Sequence, residues 1–416
     1  MITEKLIQFI WQHKLFDATE LKTVHHEPIV LIKQGFLNQY DGPDFSDARI
    51  KIGELEWAGT VEIHVKDIDW LKHGHQFNDK YKNVILHVVW SVENHETVPK
   101  GIPCLILKNH VSATLLLHYQ SLLESSTLLS CTNYLEKIKE IDKQYTLSQH
   151  AFLRLTRKAN EHYQILESFG FDWKQMLFYL FALALGKKVN KEVMGKLGKH
   201  LEIKHLLKYS DQEKTIEAFV FGTAGLLNNS NVSYEKELQN EYLFLKQKHS
   251  LQELNSTEWN FSKVRGASKP HVSLAVLVGL IKPISELEEI ESVGNSFLNT
   301  IDLPIYWQEH YQFDKKTTKK HTISQDLKNH FKINTLVPYL SLLSKYYGDE
   351  SYLYKAQAIL EELKSEKNSI INSYTSYGFV IDDAFLSQGA IELYNQSCKH
   401  KKCLDCHTGK TILGWV

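Results

Sequence analysis

Arginine is scarce in this chain. Of its 48 basic residues only four are arginines, Arg49, Arg154, Arg157 and Arg265. In so lysine-biased a sequence, an arginine is expected where its planar, five-donor fork is needed to hold a carboxylate or a phosphate. Cysteine is sparse too: there are five, three of them within the last 19 residues, which excludes a secreted disulfide framework. Excess charge of one sign is missing, with a net charge of −1 and a pI of about 7.1. That excludes a globally basic nucleic-acid binder but leaves room for a local basic groove. No run approaches the roughly 18 apolar residues of a membrane-spanning helix. The opening "MITEKLIQFIWQHKLF" places Leu6, Ile7, Ile10, Trp11 and Leu15 at helical spacing with Glu4 ahead of them. It reads as an amphipathic helix and not as a signal peptide. A cytoplasmic protein with no membrane partner is expected.

What is present changes character along the chain. The first 110 or so residues are β-branched runs separated by turn signals: "EPIVLIKQG", "DARIKIGELEWAGTVEIHV", "NVILHVVW" and "IPCLILK". After residue 112 apolar residues recur at i, i+3, i+4, as in "YTLSQHAFLRLTRKANEHYQILESFG", "WKQMLFYLFALALG" and "LVPYLSLLSKYYG". The expected fold class is α+β. A mixed α/β sheet domain over 1–125 is followed by a large all-helical domain over 126–416 that carries a C-terminal cysteine cluster. The lysine cluster "DKKTTKKH" is expected in a loop between helices.

The stretch "GPDFSDARIKIGELEWAGTVEIHVKDIDW" carries the chemistry. Its second half alternates, so Val61, Ile63 and Val65 share one face of a strand while Glu62, His64 and Lys66 share the other. With Asp44 entering the preceding strand, a hairpin would bring an acid beside an acid-x-base pair. This arrangement resembles the PD-(D/E)XK nuclease core, in which an aspartate enters one strand and the next supplies an acid and a lysine two residues apart. The resemblance implies that Asp44 and Glu62 hold Mg2+ or Mn2+ and that His64, standing where the superfamily has lysine, or Lys66 activates water. The bland reading of the same strand is a polar sheet face in which Glu62, His64 and Lys66 pair in water.

Further histidines follow in "DWLKHGHQFNDKYKNVILHVVW": His73 and His75 flank Gly74, and His87 lies on an aliphatic strand. Histidines converging on one point would bind a transition metal. Gly74 suggests a loop, and a histidine such as His87 is more often part of a core. At the other end "CKHKKCLDCHTG" spaces Cys398, Cys403 and Cys406 as C-x4-C-x2-C. Three thiolates this close in a reducing compartment point to a metal or cluster site with a fourth ligand elsewhere. Cys131 is the expected fourth, and zinc and an iron–sulfur cluster fit these ligands equally well.

The segments "GPDFSDARI", "WAGTVEIHV", "DWLKHGHQ", "YKNVILHVVW", "FGTAGLL", "KINTLVPYL", "GAIELY" and the closing "CKHKKCLDCHTG" resemble the bacterial family called domain of unknown function 2851. The chain departs from that family's Arg-Pro-x-Asn pattern at "VRGASKPHVSLA", where Arg265 remains. The resemblance implies a bacterial cytoplasmic protein and no established activity. Three functions stay open. One is a metal-dependent nuclease or nuclease-derived nucleic-acid-binding protein, with Asp44, Glu62, His64 and Lys66 at the site. In it Arg49, Arg154, Arg157 and Arg265 would be phosphate contacts. The others are a non-catalytic helical scaffold for a protein partner and a small-molecule metalloenzyme using His73, His75 and His87. No Walker-type loop, G-x-S-x-G elbow or dinucleotide fingerprint is present.

Overall fold

A computed structural model describes residues 2–228, 232–262 and 269–414. Arg265 lies outside the described residues. Contacts divide the chain into two units: Met1–Thr146 with Asn372–Val380 and Leu393–Val416, and Leu147–Ile371 with Ile381–Glu392. The fold is α+β, with a mixed sheet near the N-terminus and a helical remainder. Among the described residues no helix is long and apolar enough to cross a membrane.

The first unit opens with helix α1 (Glu4–Gln12), capped by Thr3, whose side chain accepts from Leu6 N–H. Strands β1 (Ile29–Lys33), β2 (Phe36–Leu37), β3 (Phe45–Ile52), β4 (Leu55–Lys66), β5 (Val84–Ser91) and β6 (Cys104–Ile106) form one sheet of order β1-β3-β4-β5-β6, with β2 also on β3. The β3–β4 hairpin closes at Gly53 with Ile52 opposite Leu55 and Ala48 opposite Gly59. Gly53 takes φ +58°, which a residue with a Cβ rarely adopts. β5 then lies parallel to β4, and β6 parallel to β5. Strand β5 is buried on both sides up to Trp90, which explains its unbroken apolar run.

One sheet face carries the core. Leu6, Ile7, Ile10 and Trp11 of α1 meet Val61 and Ile63 of β4, Leu86 and Val88 of β5, and Leu115, Tyr119 and Leu122 of helix α3 (Ala113–Glu124). Full burial of each such side chain contributes roughly 1.5–3 kcal/mol. Leu404, Ile412 and Leu413 join the same core. Sequence reasoning had placed the cysteine segment with the helices after residue 126. In the fold these three apolar residues anchor Leu393–Val416 in the first unit.

The second unit is built around helix α5 (Trp173–Gly186), which follows helix α4 (Glu140–Ser168) and precedes helix α6 (Lys191–His200). Nearly every residue of α5 is buried, so it forms the centre of a layered helical core with the helices Glu213–Thr223, Pro270–Gly279 and Val337–Tyr347. The lysine cluster expected in a loop instead enters a small hairpin, β7 (His310–Gln312) with β8 (Lys315–Lys316).

Candidate functional site

The site grows out of β4. Val61 and Ile63 point into the core, so Glu62 and His64 point to the opposite face. That face is not solvated: Glu62 is 5% exposed and His64 1%. A cover follows directly in sequence, made of helix α2 (Asp69–Lys72), Gly74 at φ +71° and the turn His75–Phe77. The glycine reverses the chain so that both flanking histidines turn back over β4. Trp70 lies 5.3 Å from the His75 ring and 5.2 Å from the His87 ring, and Tyr81 stacks on His75 at 3.8 Å. Trp70, Tyr81 and Val84 form a small core of their own that holds this cover down.

Three imidazole nitrogens converge, with a carboxylate beside two of them. His64 Nε2 lies 3.1 Å from His73 Nδ1 and 3.3 Å from His75 Nε2. Glu62 Oε1 lies 3.5 Å from His64 Nε2 and 3.2 Å from His75 Nε2. The three histidines form a cluster able to hold a metal ion. On its other side His64 Nδ1 meets His87 Nε2 at 2.9 Å, while His87 Nδ1 is buried without a partner. His73 is exposed and opens the cluster to solvent.

A neutral imidazole carries a single proton. His64 therefore cannot satisfy His73, His75 and Glu62 through one nitrogen while also bonding His87. A cation at the convergence point resolves the conflict, and the neutral ring is the form that ligates. Burial, reinforced by the neighbouring rings, pushes His64 down to about 2. Burial likewise brings His75 and His87 down to about 4. The carboxylates move the other way. Burial, then the charge of Asp44, pushes Glu62 up to about 9. Burial, then Asp44, pushes Glu4 up to about 7. Among the described residues no lysine or arginine pairs with Glu4, Asp44 or Glu62.

Asp44 lies beside Glu62, as the hairpin requires, but faces the backbone. Its N–H donates to Glu62 Oε2 at 3.0 Å, its Oδ2 accepts from Ile63 N–H at 3.0 Å, and its Oδ1 accepts from Gln8 Nε2 at 2.9 Å. In this geometry Asp44 orients Glu62 more directly than it ligates. Lys66, on the same strand face, is half exposed and paired with Glu93, beyond the covered part of the site. A cavity of about 370 Å³ borders the cluster, lined in part by His75, Phe77, Tyr81, Lys82 and Lys100.

The cysteines form a second constellation. Cys131, Cys398, Cys403 and Cys406 line one cavity of about 20 Å³, room for about one water-sized occupant. Tyr374 Oη lies 3.3 Å from Cys398 Sγ, and the N–H groups of Thr408 and Gly409 bond the Cys406 sulfur. Gly409 permits this: a Cβ there would sit 2.0 Å from the Cys403 carbonyl oxygen. Burial pushes Cys131 up to about 12 and Cys403 up to about 11, and raises Cys398 and Cys406.

The arginines divide. Arg157 grips Glu392 with Nε–Oε1 at 2.5 Å and Nη2–Oε2 at 2.7 Å, and Arg154 Nη1 reaches the same carboxylate at 3.1 Å. Arg49 is exposed on β3, and no ion pair holds it among the described residues. Sequence reasoning missed Glu4 and Gln8, although their i, i+4 spacing puts both on one face of α1.

The chain belongs to the DUF2851 family, described as proteins of unknown function, whose model matches residues 4–369. The C-terminal cysteines lie beyond the matched span. No curated protein and no solved structure matches the chain.

Proposed function

We propose that the first unit of this DUF2851 protein is a metal-dependent centre for phosphodiester hydrolysis, that is, a nuclease or a nuclease-derived nucleic-acid-binding protein. The observation that carries this reading is the cluster of His64, His73 and His75, whose ring nitrogens all lie within 4.8 Å of one another, with Glu62 Oε1 3.5 Å from His64 and 3.2 Å from His75. Tetrahedral zinc with ligand bonds of roughly 2.0–2.1 Å sets donors about 3.3 Å apart. Three imidazoles favour Zn2+, Fe2+ or Mn2+ over the Mg2+ that an oxygen-only set would take. Such an ion supplies a water of lowered pKa and polarises a phosphoryl oxygen.

The chain's own groups do the rest. His64, His73 and His75 hold the ion. Glu62, steadied by the Asp44 N–H, accepts the proton of the attacking water. Asp44 is fixed in turn by Gln8 and by Ile63 N–H. His87 orients His64 from behind, as outer partners of metal-ligating histidines do. Phosphodiester substrates are supported by the hairpin order of Asp44, Glu62 and His64, with β5 laid parallel to β4. They are also supported by the bordering cavity, where Phe77 is 87% exposed and free to stack a base while Lys82 and Lys100 can meet phosphates. That cavity's size favours, as a second reading, hydrolysis of a small molecule at the same ion.

Purified protein supplied with Mn2+ or Zn2+ should cleave DNA or RNA. Glu62→Gln should lower the rate at least about 100-fold, within the usual range for loss of a general base, without unfolding the chain. Full activity in that variant excludes Glu62 as base. No cleavage of any nucleic acid by metal-loaded protein leaves a scaffold or a small-molecule enzyme.

For the cysteines, we infer one structural ion that would draw together Cys131, Cys398, Cys403 and Cys406, which share a cavity although their sulfurs do not all lie within 4.8 Å of one another. The small cavity favours a single zinc over an iron–sulfur cluster, and four thiolates leave no position open for substrate. Metal analysis of anaerobically purified protein distinguishes zinc from iron with sulfide.

A further inference from the structure

The second unit holds a cavity of about 380 Å³ that takes no part in the chemistry above. Its floor is the turn "LGKKVNK" between α5 and α6. Gly186 lets this turn close tightly, since a Cβ there would lie 2.6 Å from the Lys191 Cα. Lys187, Lys188 and Lys191 all line the cavity, and so do Arg154, Arg157 and Lys158 of α4. No aspartate or glutamate is among the lining residues. Three carboxylates stand behind the wall: Glu392 holds both arginines, Glu161 holds Arg157 and Lys158, and Glu366 accepts from Gln388. Cations thus outnumber these acids, and Lys188 and Lys191 have no ion-pair partner among the described residues.

Two further observations point to an occupant. His162 lines the same cavity at 9% exposure, and its Nδ1 is buried with no hydrogen-bond partner. An unsatisfied buried polar atom is costly unless a ligand or water completes it. Part of the lining comes from an irregular helical segment that mixes polar His330, Asn334 and Ser341 with apolar side chains. A π-turn over Lys332–Leu336 runs into Pro338, which has no N–H to give the preceding turn, and Ile333, Val337 and Pro338 line the cavity. Such widened turns recur at functional sites. Cations together with the apolar side chains of Ile333, Val337 and Pro338 in one lining suit a ligand with an anionic end and a ring. A volume near 380 Å³ lies in the range of small-molecule sites and is too confined for a polymer to thread.

We propose that this cavity binds a phosphorylated small molecule of nucleoside-phosphate size, its phosphates against Lys188, Lys191 and Arg157 and its ring against Ile333, Val337 and Pro338. Crowding of the cations accords with this: burial, then Lys158 and Arg154, lowers the pKa of Lys191. The site is separate from the histidine centre and does not depend on that centre's activity.

The test is calorimetric titration of the full chain, with chelator present, using ADP, pyrophosphate and a twelve-nucleotide oligothymidylate as probes. ADP should bind with one site per chain and pyrophosphate more weakly. Lys188→Glu with Lys191→Glu should weaken ADP at least tenfold while leaving the ligand-free melting temperature unchanged. Lys188→Ala with Lys191→Ala serves if the charge reversal disturbs folding. Three results would each overturn the proposal: neither ADP nor pyrophosphate binds, ADP binds equally well to both double variants, or the oligonucleotide binds while ADP does not.

Discussion

Glu392→Ala tests why two of the four arginines are arginines. Glu392 is 2% exposed and accepts from Arg157 Nε, Arg157 Nη2 and Arg154 Nη1. Burial by itself would raise its pKa, yet the two guanidiniums hold it below the usual carboxylate range. Removing one partner of a buried ion pair typically costs about 3–5 kcal/mol. Here the arginine side chains keep 22% and 31% exposure, so water can partly replace the acid. Arg157 also keeps Glu161, and Arg154 Nε keeps Gln388 Oε1 at 2.5 Å. The expected cost is therefore lower, about 2–3 kcal/mol. For a unit of this size each kcal/mol moves the melting temperature by roughly 2–4 °C, giving a fall of roughly 4–12 °C. Circular dichroism melts of the full chain measure it. Arg157→Lys, which keeps the charge but loses the fork, should fall by about half as much. Arg49→Lys, where nothing is held, should stay within about 1 °C. If Glu392→Ala melts within 1–2 °C of the parent (the roughly 0.5 kcal/mol scale of an ordinary surface change), the fork argument is wrong.

Three other outcomes follow from the geometry. Lys66→Ala should leave any hydrolytic rate within about twofold, because Lys66 pairs with Glu93 at the surface; a loss beyond about 100-fold would return Lys66 to the catalytic set. Cys403→Ser, or chelation of the parent, should lower the melting temperature by roughly 5–10 °C, the scale of an ion bound at about a hundred times its dissociation constant; unchanged melting would mean that no ion is held there. Glu217 is fully buried between Tyr234 Oη at 2.8 Å and Trp307 Nε1 at 2.7 Å, and burial pushes it up to about 7. A carboxyl raised on folding stabilises fully below its unfolded value near 4.5 and loses that contribution as pH rises through about 7. Glu217→Gln should therefore gain about 3 kcal/mol on the parent between pH 4.5 and pH 8; a difference curve that stays flat would place the Glu217 titration elsewhere.

The hairpin, its turn at Gly53 and the two faces of β4 were legible because a strand's period of two leaves no choice once Val61 and Ile63 are buried. What the far face met was not legible. A row of Glu62, His64 and Lys66 reads as solvent-facing by residue type, and only the cover formed by residues 69–81 buries the first two while leaving Lys66 outside. Gly74 was seen as a loop signal, correctly, but a loop at positive φ was also the means of turning His73 and His75 onto His64. His87 was read as a core histidine; it is one, with 0% exposure, and it also bonds His64. Cys131 and the tail cysteines, grouped in the sequence by ligand count alone, line one small cavity, but no three of their sulfurs lie within 4.8 Å of one another. The lysines at 187, 188 and 191 drew no attention. A basic turn between helices is common, and only the fold brings it to one cavity with Arg154 and Arg157.

Most at stake is whether His64, His73 and His75 hold a transition-metal ion beside Glu62. Its most direct test is the metal content per chain of the purified parent and of His64→Ala with His75→Ala, measured by elemental mass spectrometry with the cysteines intact. The account predicts about one zinc, iron or manganese ion fewer in the double variant, with the cysteine-bound ion retained. Equal metal content in the two proteins would contradict it.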